Sequence, residues 1–335
     1  MNRFQKIAFA SLLSVLLLIF VGAVVRVTGA GLGCPDWPTC WGCLVPPWKV
    51  EQVDLSKIDF EQFQKKAERL GRDPDTVTPE HILESFNPRH VWTEYINRLT
   101  SLPVGILAVA TLVAAYGLPK DQARVKWTAL LALVVILINA VMGARVVYSG
   151  IKPGILTAHM ALAMFLIVIQ VYTLWRGTES PSRLSFSPSS LARLRLWVGA
   201  LLALVVVEGI MGTQIRELTD AMAKSHEGQL RSEWIEELEG TTVYLVHRSF
   251  SWLIVAATGW AWFLTRKADG GAMGRAERLT IGIVGIQMIL GLIMSQYQVH
   301  EVAQVLHVGL AAILLAANVH WFLTLTPAKA VTAGH

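Results

Sequence analysis

Apolar residues in this chain collect into long, nearly unbroken runs, not into the three-to-four spacing of a surface helix or the alternation of a half-buried strand. Such runs lie near 7–28, 91–117, 127–148, 155–175, 195–215, 242–264, 279–297 and 302–324. An α-helix needs about 20 apolar residues to cross a hydrocarbon core of about 30 Å, and the runs match that length. The pattern predicts an all-α integral membrane protein with eight transmembrane helices. The first run follows Arg3 and Lys6 but is longer than the roughly 7–15 apolar residues of a signal peptide, so it reads as a retained span.

Composition supports this reading. Hydrophobic residues make up 53% of the 335 positions and charged ones 16%, against roughly 25% charged in a soluble domain. The charges that remain give orientation, because Lys and Arg concentrate in cytoplasmic connections. The N-terminus, "PKDQARVK" (119–126), the segment with Arg176, Arg183, Arg193 and Arg195, and "RKADGGAMGRAER" (266–278) form the basic set. The opposite connections are short, or acid-rich as at 217–240. Both termini are therefore expected in the cytoplasm, with the chain in the bilayer of a bacterial plasma membrane. The net charge of +5 follows from this topology, and no nucleic acid is needed to explain it.

The runs repeat in order. "EYINRL" opens the second and "YLVHRS" the sixth, while "TAHMALAMFLIV" in the fourth matches "VLHVGLAAILLA" in the eighth. A weaker echo places a polar residue four before a glycine in "NAVMGARV", "EGIMGTQI" and "QMILGLIM". Duplication predicts two pseudo-symmetric four-helix bundles: an N-terminal unit (1–175), a Ser/Pro/Arg-rich cytoplasmic linker (176–194) and a C-terminal unit (195–325). The segment 29–89 is an outer loop with a charged stretch at 61–71 that could form a surface helix.

Candidate chemistry sits in the even-numbered runs. His159, His247 and His307 occupy equivalent depths near their outer ends, and a buried ionisable side chain in a bilayer usually faces the bundle interior with a task. Paired histidines from neighbouring helices suit haem iron, so His247 and His307 form a two-histidine site in the second half. The same construction in the first half gives Asn97 and His159. An amide is a poor iron ligand, which leaves that site open. His90 shares a helical face with Glu94 and Asn97 and is a candidate for the open position, or else a cap residue nearer to water. Glu94, one turn before Asn97, can relay protons or stabilise charge. Arg98 and Arg248 either snorkel or bind haem propionates. Glu208, Asn139 and Gln287 are expected to bridge helices. All three cysteines fall in "GLGCPDWPTCWGC" (31–43), where an oxidising compartment favours a disulfide, but spacing does not select the pair.

The residues "GLGCPDWPTC", "EYINR", His159, "HR" at 247–248 and His307, in this order over residues 1–325, resemble the haem A synthase family. The resemblance implies a membrane oxidoreductase that converts a ring methyl of haem O to a formyl group, making haem A for cytochrome oxidase. It implies a resident haem b between His247 and His307, the substrate haem in the N-terminal unit, a required Glu94, and a Cys34–Cys40 disulfide with Cys43 as the extra thiol. Expected partners are haem O synthase as substrate donor and an external electron carrier, and a homo-oligomer is compatible with the sequence. The chain departs from the family in carrying Asn97 where many members have histidine, in Cys43, and in lacking a second cysteine pair at 217–240. The alternative is a non-catalytic di-haem b-type electron-transfer protein.

Overall fold

The computed structural model describes residues 1–69, 73–119, 122–149, 154–178, 186–226, 228–268, 274–296 and 300–326. Its regular structure is almost wholly helical: α1 (Arg3–Val27), α2 (Phe60–Arg69), α3 (Pro79–Glu84), α4 (Pro88–Ala115), α5 (Ala123–Tyr148), α6 (Ile155–Arg176), α7 (Pro188–Ser225), α8 (Arg231–Glu239), α9 (Thr242–Lys267), α10 (Arg275–Gln296) and α11 (Glu301–Thr324).

Local sequence sets where the helices begin. In α1 the Asn2 side chain accepts from Gln5 N–H at 2.8 Å, and the Gln5 side chain accepts from Asn2 N–H at 2.8 Å. This reciprocal pair satisfies two of the amides that a helix start leaves without partners. Helices α4 and α7 begin with Pro88 and Pro188, behind the capping side chains of Asn87 and Ser187. Proline suits the first turn because its missing N–H would have had no intrahelical acceptor there.

Among the described residues seven helices, α1, α4, α5, α6, α7, α10 and α11, are long and apolar enough to cross a membrane. The chain is an all-α, multi-pass membrane protein. Eight spans were expected from the sequence. Helix α9 lies where the sixth was placed and matches the others in length, but it falls outside the apolar set because its first turns carry Tyr244, His247, Arg248, Ser249 and Ser251. A second difference concerns 217–240, read from the sequence as a loop. There α7 runs on to Ser225 and α8 covers Arg231–Glu239. Part of the linker reading, 179–185, lies outside the described residues, as do 70–71 of the predicted surface helix whose remainder is α2.

The packing order recurs. Helix α1 packs on α4 and α6, and α5 on α4 and α6; likewise α7 packs on α9 and α11, and α10 on α9 and α11. Between these groups α1 and α6 meet α11, and α6 meets α7. A single apolar core crosses the junction, with Leu12 and Val15 of α1, Ile167 of α6, Leu201 of α7 and Leu315 of α11 buried together. Two glycines permit close approach there. A Cβ on Gly309 would lie 2.1 to 2.4 Å from ring atoms of Phe20, and one on Gly209 would lie 2.9 Å from Met164 Sδ. The segment between α1 and α4 has its own small core, in which Cys34, Cys40, Trp41, Ile58 and Ile82 pack on Val91 of α4.

Candidate functional site

His247 of α9 and His307 of α11 face one another, with ring centres 6.4 Å apart and planes at 73°. The imidazole of His247 lies against Gly212 of α7, with Cε1 3.6 Å from where a Cβ would stand. One turn earlier on α7, Glu208 brings Oε2 to 3.3 Å from His247 Nδ1. That is ion-pair range, and neither atom makes a hydrogen bond. The other Glu208 oxygen accepts from Ser251 Oγ, which also donates to the His247 carbonyl at 3.0 Å. Gln287 of α10 donates to the His307 carbonyl at 2.8 Å. Glu208 and Gln287 therefore bridge helices, as the sequence suggested.

Asn97 of α4 and His159 of α6 occupy the matching places in the other group. Asn97 Oδ1 lies beside Gly22 of α1, 3.8 Å from where a Cβ would stand. His159 Cε1 is 3.3 Å from a Cβ placed on Gly143 of α5. Asn97 Oδ1, His159 Nδ1, His247 Nδ1 and His307 Nδ1 are all buried polar atoms without hydrogen-bond partners. Such atoms are uncommon in the interior of a folded protein.

Glu94 is buried, with 3% of its surface exposed, but its carboxylate is engaged by the protein. Oε2 accepts the Cys34 N–H at 2.8 Å, and Oε1 accepts from Arg98 Nη2 at 2.6 Å. The Arg98 guanidinium also donates to the carbonyls of Cys34 at 3.1 Å, Asp36 at 2.7 Å and Thr39 at 2.8 Å. These contacts join Glu94 and Arg98 in a clamp on the loop that a Cys34–Cys40 disulfide closes. Cys43 is the free thiol. Inside the loop, the Asp36 carboxylate accepts from Thr39 Oγ1 and from the N–H groups of Trp41 at 2.7 Å and Gly42 at 3.0 Å. Tyr148 of α5 donates to the Trp37 carbonyl at 2.7 Å and ties the loop to a second helix.

His90 lies in the first turn of α4, where its N–H donates to the capping Asn87 side chain at 3.3 Å and its carbonyl packs against Gly33. Arg248 is exposed. Arg26 of α1 and Arg216 of α7 converge on Asp220, and Arg216 reaches Gln304 of α11 at 3.1 Å. The neighbouring Glu217 accepts the N–H groups of Gly154 and Thr157, each at 2.9 Å. It thereby caps the helix that carries His159. Sequence reasoning missed the Arg26–Asp220 and Glu217 contacts, because they join residues far apart in the chain. The polar-then-glycine echo did mark Glu208 and Gly212, though without showing that His247 fits against them.

Among the described residues, no three or more His, Cys, Asp or Glu side chains cluster as metal ligands. Two facing imidazoles instead fit an iron that brings its own equatorial nitrogens. A metal–imidazole bond of about 2.0 Å on each side, with about 1.1 Å from ring nitrogen to ring centre, places the centres about 6 Å apart. The spacing of His247 and His307 agrees with that span.

A family model described as cytochrome oxidase assembly protein, COX15-CtaA, matches residues 5–319. Relatives include proteins named heme A synthase from Bartonella henselae, 23% identical with 96% of this chain and 92% of the relative covered. Another is from Bartonella tribocorum, 24% identical with 98% and 94% covered. A third, from Allorhizobium ampelinum, is 25% identical with 92% and 86% covered.

Proposed function

The chain belongs to the COX15-CtaA family of cytochrome oxidase assembly proteins, and we propose that it is a haem A synthase, oxidising a ring methyl of haem O to a formyl group. In this reading α9 is the eighth span. Helices α1, α4, α5 and α6 form the N-terminal unit and α7, α9, α10 and α11 the C-terminal unit, related by a pseudo-twofold axis along the membrane normal. Both termini face the cytoplasm of a bacterial cell, because the basic connections stay inside.

The observation that carries the reading is the facing pair His247 and His307, with ring centres 6.4 Å apart. His247 and His307 would hold a haem b, which would supply one-electron transfer from an external carrier. His159 holds the substrate iron in the N-terminal unit. Asn97 stands where the other unit has a ligand, and its amide leaves that side of the substrate open. Glu94 and Arg98 brace the disulfide loop over the outer end of α4 and so hold Asn97 in register. Arg248, exposed at the outer end of α9, suits a haem propionate, because a guanidinium binds carboxylate oxygens in pairs. His90, a turn from the membrane surface, stays a cap residue.

Co-expression with haem O synthase, followed by extraction and chromatography of the pigments, tests the reaction. A formyl-bearing haem that disappears in His159→Ala supports it. Recovery of haem O alone, with low-spin haem still bound, supports the non-catalytic electron-transfer alternative.

A further inference from the structure

The two units share their helix packing but not what stands behind the ligand position. In the C-terminal unit His247 lies against Gly212, and the residue four before that glycine is Glu208. In the N-terminal unit Asn97 lies against Gly22, and the residue four before it is Leu18. His159 has Gly143 and Asn139 in the corresponding relation on α5. Around His307 the arrangement differs: Gln287 bonds to the His307 carbonyl, and Gly291 has open space where a ring would be. A carboxylate thus backs one ligand position of the four.

From this we infer that Glu208 is a positioning residue for His247, fixing the ring through Nδ1 and lowering the reduction potential of the iron bound there. The inference rests on the two-histidine haem reading and deepens it. Three observations support it. First, the carboxylate is aimed: Ser251, one turn beyond His247, holds Oε1 while Oε2 stands 3.3 Å from Nδ1. Second, the two side chains are mostly buried, at 19% and 15% exposed. In such surroundings an ionised carboxylate is costly unless it is partnered. Third, with Nδ1 directed at Glu208, Nε2 is the nitrogen left to ligate. A histidine ligand that gives its second N–H to a carboxylate is oriented by it and becomes a stronger donor. An anion behind the ligand favours ferric over ferrous iron, which makes the resident haem the better reductant. In the other unit the position matching Glu208 is Leu18.

The test is a redox titration of the low-spin haem in the purified full-length protein, with its highest EPR g-value as a second readout. Glu208→Gln should move the midpoint potential upward and shift the g-value, and Glu208→Asp should fall between. An unchanged potential and g-value in Glu208→Gln would overturn the inference. If that variant does not retain haem, Ser251→Ala decides, since it frees only the anchoring oxygen: a smaller upward shift supports the inference and no shift overturns it. Wild-type protein without a His247-dependent low-spin haem would instead overturn the proposed function, so the two failures are distinguishable.

Discussion

The group α1, α4, α5, α6 and the group α7, α9, α10, α11 put the same kind of helix contact to different uses. Gly22 and Gly212 both lie against a side chain from the next long helix, but one meets an amide and the other an imidazole. Around the imidazole lie Glu208, Ser251 and a second histidine. Around the amide the polar work goes outward, into Glu94, Arg98 and the disulfide loop. The contrast matches the proposed function, in which one side would hold a ligand on both faces and the other would keep one face open beneath the disulfide loop.

Removing the two-sided clasp should have the largest effect. His247→Ala is expected to abolish the low-spin haem spectrum of the C-terminal unit and reduce haem A formation to background, read by absorption spectra and pigment extraction. Making the halves alike comes next. Asn97→His should convert the substrate haem toward a six-coordinate low-spin form and lower turnover at least ten-fold, and an unchanged spectrum with unchanged turnover would remove the open-face idea. Loosening the disulfide loop should cost less. Glu94→Gln leaves the Arg98 guanidinium without its carboxylate. Breaking a buried pair costs about 3 kcal/mol, and somewhat less is expected here because Arg98 is partly exposed. Thermal unfolding should report the loss. The smallest effect should come from Glu217→Gln, which weakens the cap that α7 places on α6. Caps and helix-terminal charges contribute about 1 kcal/mol, and the change should appear in the spectrum of the haem on His159 and not in that on His247.

Much of this was legible in the sequence, for identifiable reasons. The spans were found to within a few residues because lipid exposure demands apolar side chains along their length. The end of α7 was missed because "RELTDAMAKS" stops being apolar while remaining rich in Ala, Leu, Glu and Lys, and those residues favour helix regardless of hydropathy. Helix α9 is less apolar than the seven spans, and its first turns carry polar residues such as His247, Arg248 and Ser251. For the site, the alignment of repeats picked out Asn97, His159, His247 and His307, since periodic depth survives in one dimension. The partners of Glu94 did not show, because the Cys34 N–H and the Asp36 and Thr39 carbonyls are backbone groups that carry no side-chain signature. Nor did spacing choose Cys40 over Cys43, whose backbones pair with each other across a tight turn. The family resemblance supplied that pairing.

The contact of Phe20 with Gly309 bears on how this gene could be recombined. The phenyl ring from the first group occupies a space that only glycine leaves, two residues beyond His307. A chimera that joined one homologue's front portion to another's back portion at the α6–α7 connection would inherit a steric collision wherever those two positions had drifted separately. Shuffled libraries should therefore recover viable progeny mainly when both sites descend from the same parent.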